Sequence, residues 1–350
     1  MTAERLIDDG GLGFSAGAAD TGGDPFCERP AQRQFSLCRH ILGGCFRFRS
    51  DSAALLQLVE AAYAGLPMHQ LSTVVPTFDI ELRLLPRQPA PNAGAPPPMR
   101  MQSGAGLITG VMDAANYVVL APGQHHALVV ASEDMLARPY HLRYELIEFA
   151  VFILAARGQG LVPLHGACVG RHGRGILLLG ASGSGKSTLA LHSMLQGLDL
   201  LAEDAVFVHP ESLLATGVAN YLHVQAGTLR GIADAQIRRW ICQSPIIRRR
   251  SGAEKLEADL RQGHGRLAAT PLQLVGVVFV SPQPADRPGV LLSPIRGEEI
   301  PARLSAGQAY AATQAGWHRF LCGMQQLGAH ELRRGPHPRD AANALRVLLD

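Results

Sequence analysis

Apolar and polar positions recur along most of this chain, and their spacing predicts its elements. At Phe46 the run FRFRS alternates apolar and basic residues, as a strand with one buried face does. Leu55, Leu58, Val59 and Ala62 then fall at helical spacing and predict a helix over Ala53–Ala64. Thr77–Leu85, Gly106–Val111 and Asn116–Leu120 predict further strands. Residues 86–100, PRQPAPNAGAPPPMR, interrupt the pattern as an exposed proline-rich loop. His125 and His126 follow a Pro-Gly turn and read as loop residues. Tyr140–Arg157 predicts a long helix, closed by Gly158 and Gly160.

Beyond that helix the pattern shortens. Val162–Val169 and Gly175–Leu179 are β-rich runs joined by the turn RHGR. A helix follows, then an apolar strand that ends at Glu203. A helix near Ile237–Ile241, a basic loop at Arg248–Arg250 and a buried strand at Leu274–Val280 come next. Helices around Ser305–Gln326 and Arg339–Leu349 complete the pattern. The expected organisation is a loose Gly/Ala/Asp-rich leader over 1–33, a smaller mixed α/β domain over 34–145 and a second domain over 146–350. The fold class is α/β.

Composition narrows the possibilities. In 350 residues, 47% are hydrophobic and 17% charged, enough apolar material for two ordinary cores. Lys and Arg exceed Asp and Glu by only three, so no nucleic-acid partner is expected. The six cysteines lack metal-finger spacing and read as reduced thiols. No basic segment followed by an apolar run opens the sequence, and the longest apolar stretch, Phe149–Ala156, is far below the ~20 residues of a span. A cytoplasmic chain without a membrane partner is the expectation.

The chemistry begins at ILLLGASGSGKST. Gly180, four residues, then Gly185-Lys186-Ser187 complete a phosphate-binding loop between a strand and a helix. Glycines 180, 183 and 185 allow a turn whose N–H groups point inward at phosphate oxygens. The helix adds the positive end of its dipole. The nucleotide-binding set is Gly180, Ala181, Ser182, Gly183, Ser184, Gly185, Lys186, Ser187 and Thr188. Lys186 is expected to reach the β- and γ-phosphates of ATP, and the Ser187 hydroxyl to bind Mg²⁺.

Glu203 and Asp204 follow Lys186 by 17 and 18 residues, at the end of an apolar strand. One carboxylate is needed for Mg²⁺, and a second can take the proton of an attacking hydroxyl. Mutual repulsion of adjacent acids predicts a raised pKa for one of them. His165, 21 residues before Lys186, is the third candidate. Arg248–Arg250, with Glu254-Lys255 behind them, read either as a solvated face or as a lid whose arginine or lysine, Arg250 or Lys255, neutralises phosphoryl charge.

The string HGACVGRHGRGILLLGASGSGKSTLAL…GLDLLAEDAVFV resembles the catalytic domain of HPr kinase/phosphorylase, a P-loop protein-serine kinase family. That resemblance implies the kinase fold shared with phosphoenolpyruvate carboxykinase. It also implies ATP-Mg²⁺-dependent phosphorylation of a serine on a protein or peptide. By position, Glu203 becomes the base, His165 its partner, and Asp204 with Ser187 the Mg²⁺ ligands. The family has Asp where this chain has Glu203. Of the family's Glu-Ile-Arg-Gly-Leu-Gly signature, TLRGI at Thr228–Ile232 keeps Arg230-Gly231, so Arg230 becomes a phosphate or substrate contact. The resemblance covers about 160–235, and 1–145 do not look like that family's N-terminal domain. Such divergent relatives occur beside peptide-modification genes, and related kinases are often homo-oligomers.

Two further readings use the same residues: a kinase of a free alcohol, and a protein that senses ATP without transferring phosphate. LSAGQ at Leu304–Gln308 looks like a transporter-ATPase signature, but no apolar strand ending in Asp-Glu follows. It reads instead as a helix N-terminus capped by Ser305.

Overall fold

A computed structural model describes residues 35–87, 94–287 and 289–350. The leader and part of the proline-rich loop lie outside the described residues, and Arg100 already begins a strand. The chain is an α/β protein with mixed sheets.

The first sheet has seven strands, in the order Phe35–Ile41, Gly44–Ser50, Thr77–Leu85, His126–Ser132, Asn116–Ala121, Leu107–Asp113, Arg100–Gly104. Gly44–Ser50 and His126–Ser132 both run parallel to Thr77–Leu85, and the other pairs are antiparallel. The first parallel pair requires a crossover, which the helix Ala53–Tyr63 provides. Alternation decides which face is buried. Phe46, Phe48, Phe78, Ile80 and Leu82 are inside, while Arg47 and Arg49 reach Asp79 on the other face. The Phe46 and Phe78 rings stack with centroids 4.7 Å apart. Burial of each such side chain stabilises the sheet by about 1.5–3 kcal/mol.

The long helix forms as a π-helical turn, His141–Ile147, continuing into Glu148–Gln159. Gly160, at φ +64°, closes it; Gly158 lies inside it, where a Cβ would stand 2.4 Å from the Phe78 ring. Leu142, Leu146, Ile147, Val151 and Leu154 join the core of the first sheet. The helix thus buries its apolar residues against the first sheet, and we describe it with that unit.

The second sheet has nine strands. Its centre is Arg174–Leu179 beside the long strand Leu272–Pro284, which are parallel. Ala167–Arg171 and Asp199–Ala202 extend one side; Leu214–Gly217, Ala205–Val208 and Val162–His165 extend the other. Ala329–Arg334 runs parallel to the long strand and also pairs with Leu292–Pro294. One core takes in residues of helices Lys186–Leu195 and Pro338–Leu349, and another those of Ile300–Ala306 and Trp317–Leu327. The single helical region expected around 305–326 is two α-helices, with Ala311–Thr313 a short turn of helix between them. Ser305 lies in the last turn of its helix, which starts at Ile300 with Pro301 in the first turn; it is not an N-cap. A small antiparallel sheet, Tyr221–Val224, Glu254–Asp259 and Ile246–Arg248, lies alongside.

Candidate functional site

Arg174–Leu179 delivers the chain to the loop Gly180–Gly185, and the helix Lys186–Leu195 leaves it. Two glycines are required by the path. At Gly180, φ is +148° and a Cβ would stand 2.6 Å from the Val280 carbonyl oxygen; at Gly185, φ is +103° where the helix begins. Ser184 N–H donates to the Ala181 carbonyl, which closes the turn. Lys186 is 8% exposed and folds back over the loop, its Nζ donating to the carbonyls of Gly180 (2.8 Å) and Ala181 (3.1 Å). Burial lowers its pKa, Asp204 and Glu203 oppose that, and Lys255 adds to it. Thr188 touches Thr228, its Oγ1 3.2 Å away.

A cleft runs from this loop past His165, Asp204, Arg249 and Lys255. His165 ends the strand Val162–His165, which pairs with Ala205–Val208 so that Ala205 lies opposite His165. That register sets His165 Nδ1 3.3 Å from Asp204 Oδ1. Gly166 N–H also donates to the Asp204 carbonyl. The Asp204 Oδ2 accepts from Arg249 at 3.2 Å. Gln308, 7% exposed, clamps the histidine from behind: its Oε1 accepts from His165 N–H at 2.8 Å, and its Nε2 donates to the His165 carbonyl at 2.9 Å.

Glu203 has different company. The side chain is 4% exposed, and its Oε2 lies 3.1 Å from His223 Nδ1. His223 faces Glu257 across the small sheet, 3.7 Å from its Nε2 to Oε1, and Tyr144 donates to Glu257. Burial works to raise the Glu203 pKa, but the hydrogen bond and charge of His223 outweigh it. With help from the Ser187 hydroxyl and Lys255, they hold it at about 2. His223 is pushed up, its bonds to the two carboxylates outweighing burial. Oε1 of Glu203 is buried without a well-formed hydrogen bond, although the Ser187 hydroxyl is near enough to lower the acid's pKa.

The pairing of histidine and acid differs from the expectation. His165 partners Asp204, not Glu203, and Glu203 takes His223, because the chain bends at these two residues as it passes from the strand Asp199–Ala202 to Ala205–Val208, and the consecutive side chains reach different neighbours. The raised pKa expected from acid–acid repulsion is not what Glu203 has; the imidazole between Glu203 and Glu257 reverses it. Arg250 also differs. Its guanidinium pairs with Glu145 and donates to the carbonyls of Pro96 and Pro97, so Arg249 faces the cleft instead. Arg230 is exposed in the turn Ala226–Gly231. Lys255 lines the cleft.

His223, Glu257, Arg249 and Gln308 were not among the candidates from sequence. The His223–Glu257 pair could have been found only from the cross-strand register.

Beside the cleft opens a larger cavity of about 790 Å³, whose walls include Phe149, Phe152 and Phe207 with Glu148, Glu203 and Asp204. His165 and Asp204 border both spaces. Among the described residues no three His, Cys, Asp or Glu side chains cluster as a metal site. A magnesium ion shared with phosphates needs fewer protein ligands, and the open Oε1 of Glu203 next to Ser187 fits that requirement. Among the described residues no helix is long and apolar enough to cross a membrane. No family model matches the chain, and no curated protein matches it.

Proposed function

We propose that the chain is a P-loop kinase of the HPr kinase type, transferring the γ-phosphoryl group of ATP to a hydroxyl. The observation that carries this reading is the position of Asp204. It borders the phosphate-loop cleft on one side and the large cavity on the other, with a histidine at its carboxylate. A donor phosphate and an acceptor hydroxyl could therefore meet at one acid.

The geometry favours a division of labour that reverses the one implied by the resemblance. Asp204, braced by His165 and Arg249, takes the proton as the acceptor oxygen bonds to the γ-phosphorus and the bond to the β–γ bridging oxygen breaks. Glu203, held ionised by His223, joins Ser187 as a ligand for Mg²⁺. When bound, that ion would offset charge on the β- and γ-phosphates. Lys186 leaves the carbonyls of Gly180 and Ala181 for the phosphate oxygens, while Arg249 and Lys255 bring further positive charge to the cleft. Gln308 keeps His165 in place.

A serine of a protein or peptide is the acceptor that the resemblance implies. A free alcohol is the second reading, and the volume of the cavity beside Asp204 favours it. The test is phosphoryl transfer from ATP to candidate peptides and alcohols, followed by mass spectrometry, for the wild type and Lys186→Ala. Acceptor labelling that disappears in the variant supports the kinase. Nucleotide binding without any labelled acceptor supports a sensor in its place.

A further inference from the structure

The carboxylates on the wall of the large cavity are ion-paired, among the described residues, with one exception. Four carboxylates line it. Glu145 is paired with Arg250 and His141, Glu203 with His223, and Asp204 with His165 and Arg249. The arginines on the same wall are engaged too, Arg143 with Glu257 and over the Tyr144 and Tyr221 rings. Glu148 has no hydrogen bond or ion pair among the described residues, and its remaining exposure faces the cavity. Burial pushes its pKa up to about 7, with Arg143 and His223 pulling it down and Asp204 and Glu257 adding to the rise. Aromatic and aliphatic side chains, among them Phe149, Phe152, Ile153 and Phe207, form much of the remaining surface. A carboxyl group set beside apolar walls, with no hydrogen bond or ion pair of its own, is stabilised in its ionised form by a cation on the occupant.

Resting on the kinase reading for the reacting hydroxyl, we propose that this cavity is the acceptor site and takes a free amphipathic amino alcohol: an apolar, preferably aromatic body whose ammonium group pairs with Glu148 while its hydroxyl meets Asp204. The volume lies within the roughly 300–1,000 Å³ of small-molecule pockets. A folded protein domain could not enter it. Glu148 stands one helical turn from Phe152, so charge and ring contacts come from one face of the helix.

The test uses the full chain and three probes that share a phenyl ring and a hydroxyl. Phenylalaninol carries an ammonium group, 3-phenylpropan-1-ol carries no charge, and 3-phenyllactate carries a carboxylate. Binding is measured by calorimetry without nucleotide. Phenylalaninol is expected to bind about tenfold more tightly than the neutral alcohol, with the carboxylate weakest. In Glu148→Gln the preference for ammonium disappears while the neutral alcohol binds as before; Glu148→Asp retains part of it. Equal affinity for the charged and neutral alcohols in the wild type overturns the proposal. So does no binding of phenylalaninol, an ammonium preference that survives Glu148→Gln, or faster labelling of a serine peptide than of phenylalaninol. Mg-ATP binding on the same samples separates the two readings. In the wild type, absence of an ammonium preference with intact nucleotide binding defeats this inference alone, and an intact preference without nucleotide binding defeats the kinase reading alone.

Discussion

In Glu203, burial and ion pairing act in opposite directions, and the pairing prevails. Its pKa of about 2 lies below the ordinary 4.5, so the stability it contributes is present above pH 4.5 and is lost as pH falls toward 2. Glu148 has the opposite sign. Its value of about 7 means the folded protein holds a proton that the unfolded chain has already released, so stability is lost as pH rises from 4.5 through 7. Urea titrations of Glu148→Gln are expected to show a flatter pH profile across that window, with a gain on the order of 2 kcal/mol over wild type at pH 8. The same contrast separates the roles of the two acids. Asp204→Asn is expected to abolish transfer, by roughly 100-fold or more, while Mg-ATP binding stays close to wild type. Glu203→Gln is expected to raise the Mg²⁺ concentration needed for half-maximal transfer. If Glu203→Gln abolishes transfer at saturating Mg²⁺ and Asp204→Asn does not, the base is Glu203, as the family resemblance implies. The consecutive pair was legible as chemistry, but which acid faces which histidine was not. That depends on the bend at Glu203–Asp204 and on His223, which approaches from a different sheet.

Among elements, the glycine-rich loop was the most legible because it is contiguous: strand, glycine turn, lysine and helix follow one another in thirteen residues. The parts assembled from distant segments were hidden. Gln308 sits in a loop 143 residues from His165, yet its amide satisfies both backbone groups of the histidine. In sequence it was only the end of LSAGQ. Gln308→Ala leaves both groups without that partner and is expected to cost about 1–3 kcal/mol, measured by the urea midpoint. A fall in transfer is expected to accompany it as His165 loses its brace. Arg249 and Arg250 could not be told apart by spacing. The tight turn from Arg249 to Ala253 sends one guanidinium into the cleft and the other toward the long helix.

Across the whole molecule, the two units meet along a seam where Phe207 of the second sheet joins the first core and polar bonds flank it. Asn220 Nδ2 donates to the Ala62 and Ala64 carbonyls, Tyr221 to Ala61, and His69 joins Thr216 and Ala268. Arg261 adds a bond to Ala64. This seam predicts that both units unfold in one calorimetric transition. Asn220→Ala, with Arg261→Ala, is expected to separate the transition into two. The long helix itself was readable from its apolar spacing. The ownership of the long helix was not, since apolar spacing shows that a face is buried without showing which sheet covers it.

The large cavity takes Phe149, Phe152 and Glu148 from the first unit and Phe207 from the second, whereas the glycine loop and Lys186 belong wholly to the second. On the kinase reading, the acceptor and the nucleotide would thus be held largely by different units of the chain. If that reading holds, exchanging residues along one helix would change which acceptor fits the cavity while Mg-ATP binding stays as it was.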